Sequence, residues 1–249
     1  MESSSVLRNS QIVILGVCIA VATIASSVIL SKGFLKVMKF TREQIAVTGS
    51  AQKDIKSDYI VWTASFSKRG ADSAAAYKQL KEDLVKVKKH LVAKGVADKN
   101  ILVYQVGTTT LYKKNEKGND TSDIQGYVLT QSIQIKSDAV DMITQLSMES
   151  TELIDQGVEF SSGAPEYYYT KLDELKIEML AKATQNAKQR AENMTKATGN
   201  KIGLMRSAKM GVFQITPINS TDVSDWGVND ATSLEKKVTA VVTVSFAIE

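Results

Sequence analysis

The chain has 249 residues, and its 31 lysines and arginines exceed its 27 aspartates and glutamates to give a formal net charge of +4. So small an excess, with both signs interspersed, does not create the basic field that nucleic-acid binding needs, and we expect no nucleic-acid partner. The single cysteine, Cys18, lies in an N-terminal apolar run. Disulfides, thiolate catalysis and cysteine zinc sites are therefore excluded from the remainder of the chain.

The apolar run covers residues 12–30, which carry no charge and no proline. At about 1.5 Å of rise per residue, a helix over this run is about 28 Å long, close to the ~30 Å thickness of a bilayer's hydrocarbon core. The run predicts a transmembrane anchor over residues 12–31, preceded by a short tail of residues 1–11. Residues 44–249 contain no second such run and predict one water-soluble domain.

A signal sequence is the alternative to an anchor. Residues 12–19 are long enough for the apolar region of a signal peptide, and residues 20–22 (Ala-Val-Ala) fit a small-x-small cleavage site. Against cleavage, the apolar character continues through Ile24 and residues 28–30, which a signal peptide does not require. We favour an uncleaved single-pass anchor in the inner (cytoplasmic) membrane, and under either interpretation the domain is exported to the periplasmic side.

Residues 32–43 form a basic juxtamembrane linker, in which apolar side chains interleave with positive ones as in an interfacial helix. The positive side chains are Lys32, Lys36, Lys39 and Arg42. Applied to them, the positive-inside rule would keep the domain in the cytoplasm. The family resemblance described below implies the opposite orientation, and we give it the greater weight.

Hydrophobic periodicity divides the domain into strands, where apolar residues alternate, and helices, where they recur at three-four spacing. The predicted strands cover residues 45–49, 57–68, 101–112, 124–136, 158–160, 202–215 and 234–248. The predicted helices cover residues 72–94, a segment from residue 137 or 138 to 155, and residues 170–198. A charged turn over residues 113–120 joins two strands as a hairpin, and residues 217–233 form a polar loop.

Two of these helices carry clear stripes. The apolar stripe of the first consists of Tyr77, Leu80, Leu84, Val87 and Leu91. The stripe of the longest helix is rich in alanine, which permits close approach of another backbone, either the sheet or a neighbouring subunit. Because strands occur in adjacent pairs as well as between helices, the pattern predicts an α+β domain, with an antiparallel or mixed sheet and helices packed on one side.

Three stretches of the domain resemble the SIMPL-domain family, a domain-of-unknown-function family of bacterial exported proteins. Residues 47–51 (Val-Thr-Gly-Ser-Ala), followed by Ser57 and Asp58, resemble its opening V-T-G-x-G/A strand and P-D pair. Residues 126–135 are similar to its G-Y strand, and residues 158–203 to its strand, alanine-rich helix and closing G-x-x-x-G. Ser57 stands where proline is usual, and residues 50–51 lack the second glycine.

This resemblance implies an α+β fold, an envelope location, self-association and no established enzymatic activity. It supplies no catalytic residues and no cofactor, and we expect this SIMPL-like domain to have neither.

The run of Tyr167, Tyr168 and Tyr169 is the first candidate interface. In an extended segment Tyr167 and Tyr169 point one way and Tyr168 the other, so the core can bury only one side. The other side contacts either local residues or a partner, and tyrosine suits partners because it combines contact area with a hydrogen-bonding end. Trp226, in the polar loop, is the second candidate, with the same two alternatives.

Two further groups have ordinary interpretations. His90 has no second imidazole or cysteine to share a metal and is predicted to be a half-exposed helix residue. Glu149, Glu152 and Asp155 lie three residues apart on one helix and could gather a cation, although a solvated face is the usual arrangement. We therefore predict no catalytic site and no metal site.

Two functional hypotheses follow, and an enzyme is the least favoured third. The first is a non-enzymatic, membrane-anchored envelope protein whose domain assembles into a homo-oligomer and acts in envelope stress response, using strand edges, the alanine-rich helix and the tyrosines. The alternative is a periplasmic module that binds a small ligand or an unidentified protein partner.

Overall fold

The computed structural model describes the backbone of residues 3–249 and the side chains of residues 13–38 and 43–249. Its elements are α1 (Ser3–Arg42), β1 (Gln44–Lys56), β2 (Tyr59–Gly70), α2 (Ser73–Ala93), β3 (Ile101–Lys114), β4 (Asp120–Ser137), α3 (Val140–Glu149), β5 (Glu159–Ser162), β6 (Glu166–Tyr168), α4 (Leu172–Ala197), β7 (Ile202–Met210), β8 (Gln214–Pro217) and β9 (Glu235–Ile248), with 3-10 turns at Asp98–Asn100 and Ser150–Gln156. The predicted α+β class and the N-terminal apolar helix are confirmed.

The domain and its leading helix divide into two compact units. The first contains residues 1–51, 180–211 and 241–249, and the second contains residues 52–179 and 212–240. Three elements, β1, α4 and β9, contribute residues to both units.

Helix α1 is long enough and apolar enough to cross a membrane between Val13 and Met38, and none of that stretch is buried by the protein. At about 1.5 Å per residue its 26 residues are about 39 Å long, enough to span a ~30 Å core with tilt. The helix continues without a break to Arg42, through nearly all of the predicted linker of residues 32–43. Residues 1 and 2 of the predicted tail, and the side chains of residues 3–12, Lys39 and Arg42, lie outside the described residues.

The second unit is built on an antiparallel sheet in the order β3-β4-β2, with β5 and β6 both paired to the far side of β2. Alternation places Ile60, Trp62, Ala64 and Phe66 of β2 on one face, where they are buried. Trp62 and Ala64 lie opposite Ile135 and Ile133 of β4, which belong to the same core. Helices α2 and α3 contribute to the same core, and so do Leu153, Phe160 and Tyr167.

Helix α2 begins at Asp72, whose Oδ2 accepts a hydrogen bond of 2.8 Å from the amide of Ala75. Its buried stripe contains Leu80, Val87 and Leu91, as predicted, but Tyr77 was wrongly assigned to it. Ala76 occupies that position because it lies four residues before Leu80, whereas Tyr77 faces outward with the Lys81 ammonium 4.5 Å from its ring centre.

Three predicted boundaries also change. The strand predicted over residues 45–49 extends to Lys56 as β1. The helix expected to reach residue 155 ends at Glu149, after which Ser150–Gln156 tightens into a 3-10 turn closed by Gly157 at a φ of 76°. The single strand expected over residues 202–215 is two strands, β7 and β8, both paired to β9. Pairing of β7 with β9 stops at Met210, and pairing of β8 with β9 starts at Gln214. The register relative to β9 therefore shifts within residues 211–213, which begin with a glycine.

In the first unit, the alanine stripe of α4 packs directly on β1. Ala183, Ala187 and Ala191 are completely buried, and a Cβ atom added to Gly49 would overlap the backbone of Ala183 and Ala187. The amide of Ser50 donates to Asn186 Oδ1 at 3.2 Å, on the same contact. The sequence left two possible partners for the alanine stripe, the sheet and a neighbouring subunit. In the structure the stripe packs on the sheet.

This contact predicts that Gly49→Ala destabilises the fold. Because the obstructing atoms belong to a helix backbone, they cannot rotate away, and we expect a loss of at least about 2 kcal/mol in the free energy of unfolding. Thermal unfolding of the full chain in detergent should show a melting temperature lower by roughly 5 °C or more.

Gly107→Ala is the matched control, because a Cβ there would meet only the carbonyl of Thr130 at an ordinary 3.8 Å. If both variants melt with the wild type, the close approach of α4 to β1 is not a constraint on the fold.

Candidate functional site at the tyrosine segment

The three tyrosines lie on and just after β6, a short strand that pairs with the start of β2. Tyr167 lies opposite Ile60, and Tyr168 lies opposite Tyr59. Tyr167 is buried, and its hydroxyl lies 3.2 Å from Thr144 Oγ1. Tyr168 is 39% exposed and donates to Glu166 Oε2 at 2.5 Å, and this hydrogen bond raises the pKa of its phenol.

Asp58 fixes the end of this segment. Its Oδ1 accepts the backbone N–H of Thr170 at 2.7 Å, its Oδ2 accepts the Thr170 hydroxyl at 2.8 Å, and its own amide donates to the carbonyl of Tyr168 at 3.0 Å. The preceding residue, Ser57, donates its amide to the carbonyl of Leu234 at 2.9 Å, a bond that proline could not make. The pair that resembles the family's P-D element therefore positions the tyrosines.

Lys236 is the most unusual residue of the site. Its side chain is almost fully buried, at 3% exposure. Its ammonium donates to the backbone carbonyls of Tyr167 and Asp230, both at 2.5 Å. Burial lowers the pKa of Lys236 from its ordinary value, and the negative charge of Asp230 opposes that shift. The ammonium thus connects β9, the tyrosine strand and the loop before β9.

The tyrosines and Lys236 line a small, partly open cavity of about 80 Å³. Its other lining residues are Ile55, Leu172, Ile215, Asn229, Asp230 and Ala231. A cavity of this size has room for a few water molecules, at about 30 Å³ of liquid volume each, but not for an organic cofactor.

Trp226 lies apart from this cavity. It is 95% exposed and is not among the cavity's lining residues. Its loop is held by Gln214, whose side chain donates to the carbonyl of Ser224 at 2.7 Å and accepts from the amide of Val228 at 2.8 Å. The structure therefore gathers the three tyrosines around one cavity and leaves Trp226 on the surface.

The sequence predictions missed Lys236 and Asp58 as organising residues. The sequence does contain a signal for Lys236. Val238, Ala240 and Val242 are alternate residues that face the core, and the residue two positions before Val238 in the same row is Lys236. A charged residue in such a row needs buried partners. Asp58 was noted only within the pair that resembles the family's P-D element, and nothing in that pair indicates its partner Thr170, which is distant in the sequence.

The acidic row on α3 and the following turn meets a lysine of the protein itself. Lys94 Nζ lies 3.0 Å from Glu149 and 3.2 Å from Glu152. Hydrogen bonds from Gln145 and then Lys94 lower the pKa of Glu149. Among the residues that the structure describes, no group of three or more His, Cys, Asp or Glu side chains could hold a metal ion.

Comparison with known protein families identifies the family of this chain. It matches the family model SIMPL, described as a protein of unknown function (DUF541), over residues 45–246. That match covers well over half of the chain, and the chain belongs to the SIMPL family, as its motifs predicted. The family's description assigns no reaction. Comparison with curated proteins gives no match.

The geometry predicts that Lys236→Met weakens the fold. The substitution removes two charge-assisted hydrogen bonds and leaves the carbonyls of Tyr167 and Asp230 without this donor, so we expect a loss of about 2–4 kcal/mol in the free energy of unfolding. Thermal unfolding measures it, with exposed Lys78→Met as the matched control. Equal melting temperatures for the two variants would show that the buried ammonium adds no stability.

Proposed function

We propose that this chain is a non-enzymatic, single-pass protein of the inner membrane whose SIMPL domain faces the periplasm and assembles with copies of itself. The observation that carries the proposal is a helix apolar enough to cross a membrane and unburied by the protein. That helix ends at Arg42, and the SIMPL match begins at residue 45. A role in envelope stress response is part of the same proposal and rests on the family resemblance.

An uncleaved anchor accounts for the helix better than a signal sequence does. Apolar side chains continue past Leu30 as Phe34, Leu35 and Val37, and all three are exposed in the described structure. A signal peptide needs only a short apolar region before its cleavage site. Burying these side chains in lipid would remove from water a surface that the protein leaves uncovered.

A periplasmic orientation of the domain conflicts with the positive-inside rule, because lysines follow the span. Lys32 and Lys36 follow the most apolar stretch and favour a cytoplasmic domain under the positive-inside rule. That rule is a bias that large domains frequently override, whereas the resemblance is to exported proteins. We therefore propose the periplasmic orientation.

Self-assembly would use the edge strand β7. In the first unit β7 pairs with β9 on one side, and among the described strands none pairs with its other edge. Three large apolar side chains on it are exposed: Leu204 at 75%, Met205 at 56% and Met210 at 56%. An exposed apolar edge is a template for another strand, and a second β7 related by a twofold axis presents the same edge in return. The alanine stripe of α4 is already buried within the protein and does not take part.

Periplasmic ligand or partner binding is the second candidate function. A polar trough on the sheet of the second unit favours it, and its chemistry is developed in the next subsection.

The assembly proposal predicts that the double variant Leu204→Lys/Met210→Lys is monomeric. Lysines on an edge strand oppose pairing, because two copies would place like charges together. Light scattering of the full chain in detergent should give a protein mass of several subunits for the wild type and of one subunit for the variant.

Ile177→Lys is the matched control, since Ile177 is an exposed apolar residue on α4 rather than on β7. It should keep the wild-type mass. A wild type that stays monomeric at high concentration, or a double variant of unchanged mass, would contradict assembly through β7.

A further inference from the structure

The sheet of the second unit has a second face, opposite the core, whose central part is polar and uncharged. Opposite the core, β2, β3 and β4 display side chains that are exposed or half-exposed. A shallow, open trough of about 510 Å³ lies on this face. Its lining consists of Thr63, Tyr104, Gln105, Gly107, Thr130, Ser132 and Gln134. None of these residues is acidic or basic.

A β-bulge shapes the trough. Pairing of β3 with β4 shifts between Val103 and Val106, so that Tyr104 and Gln105 together lie opposite Ser132. Gln131 holds the bulge by donating its amide to the carbonyl of Tyr104 at 2.8 Å. It stands in the row of β4 whose other members, such as Leu129 and Ile133, belong to the core. A polar residue in that row is thus used to fix the bulge.

The polar groups of the trough are held in place before any ligand arrives. The hydroxyl of Tyr104 donates to Gln134 Oε1 at 3.1 Å, and Gln134 Nε2 donates to Thr63 Oγ1 at 3.2 Å. These bonds fix the orientation of the Gln134 amide and leave its second N–H and the Thr63 hydroxyl proton free to donate outward. The ring of Tyr104, 37% exposed, forms an aromatic wall.

This chemistry selects one class of ligand. Lysine and arginine are absent from the lining, which disfavours phosphates and other polyanions, and the lack of carboxylates disfavours cations. Amides and hydroxyls both donate and accept hydrogen bonds, as the hydroxyls of a neutral sugar do. The aromatic wall suits the apolar C–H face of a pyranose ring. An open trough on a sheet also admits a chain-like ligand.

We propose that the trough between β2, β3 and β4 binds a neutral oligosaccharide, with Tyr104 as the stacking residue and Gln134 and Thr63 as the hydrogen-bonding residues. The proposal deepens the second candidate function, ligand binding, and does not depend on self-assembly. Gly107 keeps the trough open, because a side chain at that position would occupy it.

The test uses the full chain in a detergent that contains no sugar, with the β-1,4-linked N-acetylglucosamine tetramer as the probe. Titration calorimetry and saturation-transfer NMR should detect saturable binding. Tyr104→Ala, which removes the wall, and Gly107→Leu, which fills the trough without removing a hydrogen bond, should each weaken binding at least tenfold. Tyr112→Ala, on the same strand outside the trough, should stay within twofold of the wild type.

Three results would overturn the proposal. The first is that the folded wild type shows no saturable binding at tetramer concentrations up to about 10 mM. The binding free energy would then be weaker than about 3 kcal/mol. The second is binding that the Tyr104 and Gly107 variants leave unchanged while their melting temperatures match the wild type. The third is a change in oligomeric mass on Gly107→Leu without binding by the wild type, which would make the trough a contact between copies. The β7 double variant should bind like the wild type, so a failure of assembly is distinguishable from a failure of this site.

Discussion

The close approach of α4 to β1 depends on Gly49 having no side chain. With a hydrogen atom in place of a Cβ, the strand lies against the backbone of the helix at Ala183 and Ala187, and the alanines become fully buried. Arg190 reinforces the contact by donating to the carbonyl of Thr48 at 3.0 Å. A single residue, Glu43, separates the end of α1 from the start of β1. The strand on which α4 packs is therefore also the strand into which the apolar helix leads.

The tyrosine segment illustrates how polar groups can determine a local arrangement. Asp58 accepts hydrogen bonds from the backbone N–H and the hydroxyl of Thr170, and Lys236 donates to the backbone carbonyls of Tyr167 and Asp230. Burying an ammonium costs free energy, so its two carbonyl partners must offset that cost for the fold to be stable. Hydrogen bonds of fixed direction also specify one placement of the Tyr167 strand, which apolar contacts alone would not.

Much of the fold could be predicted from the sequence, because alternation and three-four spacing report directly which side chains face the core. The buried rows of β2 and of β9, the stripe of α2 from Leu80 onward and the charged hairpin turn all followed from such patterns. The division of residues 202–215 into β7 and β8 could not be predicted, since a shift in register depends on the partner strand. For the site, the tyrosines are adjacent in sequence and were recognised together, whereas Asp58 and Lys236 act through residues far along the chain.

The central claim is that the apolar helix anchors a SIMPL domain on the periplasmic side of the membrane. Because Cys18 is the only native cysteine and lies in the predicted span, the most direct measurement is labelling of a Lys117→Cys variant, at the exposed hairpin turn, with a membrane-impermeant maleimide. The account predicts labelling in spheroplasts with an intact inner membrane, whereas a Ser4→Cys variant, before the span, should react only after lysis. Labelling of the Lys117→Cys variant only after lysis would contradict it.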